Sequence, residues 1–212
     1  MAYPMKTKAE AIIYIKKFVA ALNAICSRGK ETPVKVVGTI HSDNAGEFLS
    51  KQFTEFLDTE SIHASQCPPH VHSLNGVAER SIRSIMEIVR STQVASQCPK
   101  GFWPYLVDHA LEVLNRTTGP PGDDRSAYEL VTGEKPKVMN IMPIGCQAFA
   151  VKARPDFSKT TIDARAWVGI NLGVDPARPG SYRIWCPRPG KLLTTSDVYF
   201  DETLMPWRAV GD

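Results

Sequence analysis

Near the start of the chain, Ile12, Ile15, Phe18, Val19, Leu22 and Ile25 recur three or four positions apart, the period of one helical face. Thr7-Lys8-Ala9-Glu10 stands ahead of them with the form of a capping box, so an amphipathic helix is expected from there to about Gly29. Val34-Lys35-Val36-Val37-Gly38-Thr39-Ile40 is short, apolar and β-branched, which predicts a buried strand with Asp43 just past its end. Ser50 suits the N-cap of a second helix that carries Phe53, Phe56 and Leu57 on one face. Ile62 to Ser65 predicts a brief strand, and the prolines in Cys67-Pro68-Pro69-His70-Val71-His72-Ser73-Leu74 predict a loop. Asn75 then caps a third helix through about Thr92. Its apolar stripe is Val77 or Ala78, Ile82, Ile85, Met86 and Val89, and its polar face holds Glu79, Arg80, Arg83, Glu87 and Arg90. A fourth helix follows Pro99-Lys100-Gly101, with Trp103, Leu106, Val107, Ala110, Val113 and Leu114 on its stripe.

The pattern then changes. Thr117 to Asp124 is rich in Gly and Pro and reads as a linker, and Ser126 to Gly133 predicts one short helix. After Pro143 the apolar period falls to two. Ala148 to Lys152, Ala166 to Ile170, Ser181 to Trp185 and Leu192 to Phe200 read as short strands of a small β-barrel or sandwich.

Composition narrows the class without choosing a function. With 43% hydrophobic and 22% charged residues over 212 positions, the chain has the make-up of a globular protein with a real core. A net charge of +3 permits nucleic-acid binding without requiring it. The five scattered cysteines contain no CxxC pair, so free thiols in a reducing, intracellular compartment are expected. No apolar run is long enough to span a membrane.

The candidate chemistry lies in two acids. Asp43 falls where a strand ends and Glu79 where a helix begins. Carboxylates placed in this way can share Mg²⁺ ions, which prefer hard oxygen ligands and keep several waters. Pairs of such ions support phosphodiester chemistry. The same two acids also fit a solvated surface, and an acid near a helix N-terminus is favoured by the helix dipole alone.

The surrounding motifs add a resemblance. Ser42-Asp43-Asn44-x-Gly46-Glu47-Phe48, Asn75-Gly76-Val77-Ala78-Glu79-Arg80, Phe102-Trp103 and Asn115-Arg116 closely resemble the integrase core of copia-type LTR retrotransposons. Tyr128-Glu129-Leu130-x-Thr132-Gly133-x-Lys135-Pro136, Gly145-Cys146 and Asp197-Val198-x-Phe200-Asp201-Glu202 resemble the segment downstream of that core, including its SH3-like module. The resemblance implies an RNase H-like α/β fold followed by a small all-β SH3-like barrel. It implies DNA integration as the activity, by 3′-end processing and strand transfer, with Mg²⁺ or Mn²⁺ as cofactor. DNA and further copies of the chain are the implied partners, and the nucleus is the implied location of a working protein. Asp43 and Glu79 would be catalytic metal ligands. Asn75, Gly76 and Arg80 would shape the loop and helix near DNA ends, while Arg83 and Arg90 either meet phosphates or are merely solvated. The matching organisation is a partial core over residues 1–118, a linker with a short helix over 119–142, the β module over 143–203 and a tail over 204–212.

Two departures qualify the implied activity. No Asp occurs in residues 1–42, where the family's first catalytic Asp would be expected, and the acids present there are Glu10 and Glu31. A chain lacking that Asp and its strand is expected to be inactive, with exposed strand edges and marginal folding. The rival reading is a non-enzymatic remnant that binds nucleic acid or is inert. Ala45 replaces a usual Gly, which would cost roughly 1 kcal/mol if the backbone there needed a positive φ.

Other candidates are weaker. Cys67, His70 and His72 lack the second ligand pair of a zinc site. Cys146 and Cys186 read as packed thiols. Trp103 and Trp167 read as core residues, and Trp185 is left open between core and stacking platform. The bases of the β module, Lys152, Arg154, Lys159, Arg165, Arg178, Arg183, Arg188 and Lys191, are either a DNA-backbone surface or a solvated rim.

Overall fold

The computed structural model describes residues 2–43, 45–66, 76–152 and 164–208. The chain forms two compact units. One comprises Tyr3–Ser84 with Tyr128–Glu134, and the other Ile85–Ala127 with Lys135–Asp212.

In the first unit the capping box forms as expected. The Glu10 carboxylate accepts hydrogen bonds from the Thr7 backbone N–H at 3.2 Å and from its hydroxyl at 3.0 Å. One turn of 3₁₀ helix, Lys8–Glu10, then leads into α1, Ala11–Cys26. The second helix, α2, spans Lys51–Glu60, and the Ser50 hydroxyl accepts its Phe53 N–H. Ile12 and Val19 of α1 pack with Phe53, Phe56, Leu57 and Ile62 to make one buried cluster. The short helix α5, Ala127–Thr132, returns to this unit, and its Val131 carbonyl accepts from the Cys26 thiol at 3.7 Å.

The strand expected at Val34–Ile40 forms later, as β1, Thr39–Ser42. The reason is competition for backbone donors. The Val34 N–H is taken by the Ser27 hydroxyl at 2.8 Å and the Val36 N–H by the Asn23 side-chain oxygen at 3.0 Å, so the approach segment is tied to the end of α1. A parallel pair results from β1 and β2, His63–Gln66, in the register Thr39↔His63 through Ser42↔Gln66.

Helix α3, Gly76–Ser96, runs four residues past its expected end, and Asn75, its expected cap, lies outside the described residues. Its apolar stripe is buried only in part. Val89 is in the core, with Ile85 and Met86 against it, whereas Val77 is 70% and Ile82 61% exposed.

In the second unit α4, Trp103–Thr117, buries Leu106 and Ala110 against Val89, Cys98 and Ile144. Trp103 is not a core residue, being 57% exposed. Phe102 holds the aromatic position instead, its ring centroid 5.6 Å from Trp185 and 5.4 Å from Trp207. The single strand expected over Leu192–Phe200 is two, broken at Ser196-Asp197. The sheet has five antiparallel strands: β3 Gln147–Val151, β4 Ala166–Val174, β5 Tyr182–Cys186, β6 Lys191–Thr195 and β7 Val198–Asp201, in the order β6-β5-β4-β3-β7. Cys146 and Cys186 are fully buried, as expected of packed thiols. The segment after β7 also packs. The Leu204 carbonyl accepts from the Gln147 N–H, and Trp207 joins the cluster around Leu106.

Candidate functional site

Each candidate acid stands at the end of an element fixed by the packing just described. Ile40 packs on the helical cluster, Ser42 is buried, and β2 holds β1 in register, so Asp43 leaves the strand end into solvent. One oxygen of its carboxylate accepts the Ala45 N–H at 3.2 Å, an Asx-type turn that fixes the side chain near its own backbone. Ala45 itself is extended, with φ −65° and ψ 143°, so this site carries no positive-φ penalty against alanine. The 3₁₀ turn Gly46–Leu49 follows.

Glu79 lies in the first turn of α3 and is exposed, and Gly76 is that helix's first residue. The Arg80 side chain folds back toward the helix start. A Cβ on Gly76 would lie 3.3 Å from its Nη1. Arg80, Arg83 and Arg90 are all exposed on α3.

Among the described residues, no three His, Cys, Asp or Glu side chains gather as a metal-binding group. Asp43 and Glu79 offer the hard carboxylate oxygens that Mg²⁺ prefers, and two such ligands suit an ion that keeps most of its waters. Of the two acids upstream, Glu10 is occupied in the capping box, and Glu31 is exposed in a bend. Cys67, His70 and His72 lie outside the described residues, as do Asn44, Arg154 and Lys159.

A side-chain pair beside Asp43 has no signal in the sequence. His41 Nδ1 and the Ser65 hydroxyl are 2.9 Å apart across the parallel ladder. Only the β1–β2 register reveals it, since 24 residues separate the two. An open groove of about 430 Å³ lies between α1 and α2, lined by Lys16, Gln52, Glu55, Phe56, Thr59 and Glu60, and includes neither candidate acid.

The bases of the β module are not alike. The Arg183 guanidinium is bonded to Asp108 at 2.9 Å and to Asp175 at 3.4 Å and lies over the Tyr105 ring, so it serves the fold. Lys152 and Lys191 lie over the half-buried Trp167 ring, 4.5 and 4.2 Å from its centroid.

Residues 146–211 match the family described as the retroviral polymerase SH3-like domain. The five-stranded antiparallel sheet falls within that stretch. The chain is 31% identical over 201 residues to the retrovirus-related Pol polyprotein from transposon TNT 1-94 of Nicotiana tabacum, covering 95% of this chain and 14% of the relative. It is 25% identical over 205 residues to the corresponding polyprotein from transposon RE2 of Arabidopsis thaliana, covering 97% of this chain and 13% of the relative. The chain thus spans about one seventh of the length of these relatives. Among solved structures, the BIV integrase catalytic core aligns at a TM-score of 0.43 with 20% identity, covering 63% of this chain and 76% of that one. The HTLV-2 integrase catalytic core in complex with magnesium aligns at 0.41 with 21% identity, covering 58% and 71%.

Proposed function

From its homology to the retrovirus-related Pol polyproteins of plant transposons, which carries an integrase-type core followed by an SH3-like module, we infer that this chain derives from a DNA-integrating enzyme and keeps part of its active site. What carries the reading is the placement of Asp43 at a strand end and Glu79 in the first turn of α3, within a chain homologous to those polyproteins over 95% of its length. In this reading Asp43 and Glu79 hold Mg²⁺ or Mn²⁺. When bound, such ions activate the attacking oxygen and neutralise charge on the phosphate. Asn75 and Gly76 start the helix that bears Glu79, and Arg80, Arg83 and Arg90 on its exposed surface meet DNA phosphates. The boundaries 1–118, 119–142, 143–203 and 204–212, assembly into homo-oligomers and action in the nucleus belong to the same proposal.

One observation favours a binding role over catalysis for these 212 residues. Among the described residues no three His, Cys, Asp or Glu side chains gather as a metal-binding group, and Glu10 is held by its capping box. We therefore propose that the chain binds DNA without joining it.

The test incubates the purified chain with a labelled duplex and a target plasmid in Mn²⁺ and, separately, measures duplex binding across a salt series. Salt-sensitive binding without joined product is expected, with a shallower log K against log salt slope in Arg80→Glu and Arg83→Glu. Joined product that disappears in Asp43→Asn would overturn the binding-only reading. Binding that ignores both salt and the arginine changes would overturn the nucleic-acid role.

A further inference from the structure

The sheet of the second unit divides its charges between its two sides. Side chains alternate along a strand, and residues opposed across an antiparallel ladder share a side. Trp167 opposes Ala150, and on their side Lys152 and Lys191 lie over the Trp167 ring beside the buried cluster of Ala148, Ala150, Ile184 and Cys186. The other side carries Phe149, Val151, Val168, Ile170, Trp185 and Tyr199. Asp201 opposes Gln147 there. Asp197, two residues before Tyr199, follows the same alternation, and its carbonyl accepts the Val151 N–H at 2.9 Å. Arg183 is the one base on this side among the described strand residues, and its guanidinium is taken by Asp108 and Asp175.

Helix α4 covers one end of this second side. It packs on β4, where Ile170 is buried, the Trp185 ring meets Phe102, and Asp108 pairs with Arg183. The other end is open. Val168 is 58%, Tyr199 73% and Val151 38% exposed, and the half-buried Phe149 stands directly between Val168 and Tyr199. Single exposed apolar residues need no explanation, but a contiguous set across three strands has the character of a docking surface. Its charge decides what docks there. Asp197 and Asp201 flank the apolar residues, so the patch offers nothing to attract nucleic-acid phosphate. A second copy pairing through it would bring no base to these acids. What complements the patch is an apolar surface edged with cations.

We propose that this open face receives an amphipathic helix of a different polypeptide, apolar toward the sheet and bearing lysine or arginine at its margin. A helix suits the position because α4 already lies on the same side of the sheet, with an ion pair at its edge. The incoming helix sets its apolar residues on Val168, Phe149 and Tyr199, and its cations reach Asp197 and Asp201. Tyr199 is the central anchor, a large aromatic side chain whose hydroxyl keeps contact with water. Three strands spaced about 4.8 Å apart make a narrow patch. Its area falls below the roughly 800 Å² per partner of a standard interface, so the association is weak and reversible.

Binding of two synthetic peptides to the full 212-residue chain tests this without reference to DNA. Each peptide has about 14 residues with leucines at helical spacing, and its other positions are all lysine in one and all glutamate in the other. Isothermal titration at physiological salt should show the lysine peptide bound at least about tenfold more tightly. Its backbone amide shifts should fall on β3, β4 and β7. Tyr199→Ser and Val168→Lys should each weaken the lysine peptide at least about fivefold and leave the thermal melt in place, since both side chains are largely exposed. Asp197→Lys should narrow the preference between the peptides, whereas Lys191→Gln on the opposite side of the sheet should leave it unchanged. Equal binding of the two peptides, no binding of either up to about 1 mM, or binding that ignores Tyr199→Ser and Val168→Lys would each overturn the proposal. So would shifts at the same residues on adding a DNA duplex, or self-association of the chain that the lysine peptide displaces.

Discussion

The Arg183 guanidinium of β5 donates to the Asp108 carboxylate of α4 at 2.9 Å, across 75 residues of sequence. Both side chains are largely shielded, and Asp175 and the Tyr105 ring complete the surroundings of the cation. The sheet and the helix before it are thus joined by charge as well as by the cluster around Leu106. Breaking a shielded ion pair from one side strands its partner. Arg183→Ala is expected to lower unfolding free energy by about 3 kcal/mol, measured by urea denaturation. Arg183→Lys should recover only part of this, because lysine lacks the fork that serves two carboxylates. An unchanged midpoint in Arg183→Ala would show that the pair contributes nothing net.

Gly145 makes a second joint within the same unit. Its φ is +89°, and a Cβ there would lie 2.6 Å from the Ser96 Cβ at the end of α3. Backbone strain and overlap act together, so Gly145→Ala should destabilise by about 2–4 kcal/mol. Gly101 has open space around it and no such φ, and Gly101→Ala serves as the control, with an effect under about 1 kcal/mol. Equal thermal shifts in the two variants would contradict this account.

Elements carried by local rules were legible in the sequence. The capping box at Thr7, the Ser50 cap and the period-two strands after Pro143 all rest on neighbours a few residues apart. What escaped was set by distant partners. Asn23 and Ser27 claim backbone donors from the Val34–Val36 segment and delay β1, a competition that strand propensity does not register. Phe102 rather than Trp103 fills the aromatic slot because Trp185 and Trp207 arrive there from the other end of the chain. For the candidate site, the positions of Asp43 and Glu79 at element ends were readable, whereas the His41–Ser65 pair required the strand register.

The buried thiols give the second unit a signature at alkaline pH. Burial pushes the Cys98 thiol up to about 11. Burial first, and then the nearby Glu202 and Asp201, does the same for Cys146. In the unfolded chain a thiol ionises near 8.5. Between that value and about 11 the folded state holds protons that the unfolded state has released, so stability falls as pH rises through this window and is unaffected below it. Urea midpoints measured from pH 7 to 10.5 should be flat and then decline. Cys146→Ala should decline less steeply than the parent above pH 9, and parallel curves would mean that Cys146 does not titrate in this way.

The apolar stripe of α3 outruns its cover, and substitutions along it should record where burial stops. Val89 is 5% exposed and packs with Leu106 and Cys98, so Val89→Ala removes two methyl groups from a filled core. The expected cost is about 1–3 kcal/mol. Ile82 occupies the same stripe two turns earlier but is 61% exposed. Ile82→Gln should therefore stay within about 0.5 kcal/mol, since glutamine's helix propensity is slightly better than isoleucine's and little apolar area leaves a packed environment. A loss at Ile82 as large as that at Val89, read from the same denaturation curves, would mean that the first turns of α3 are covered in solution by something that packs on Val77 and Ile82.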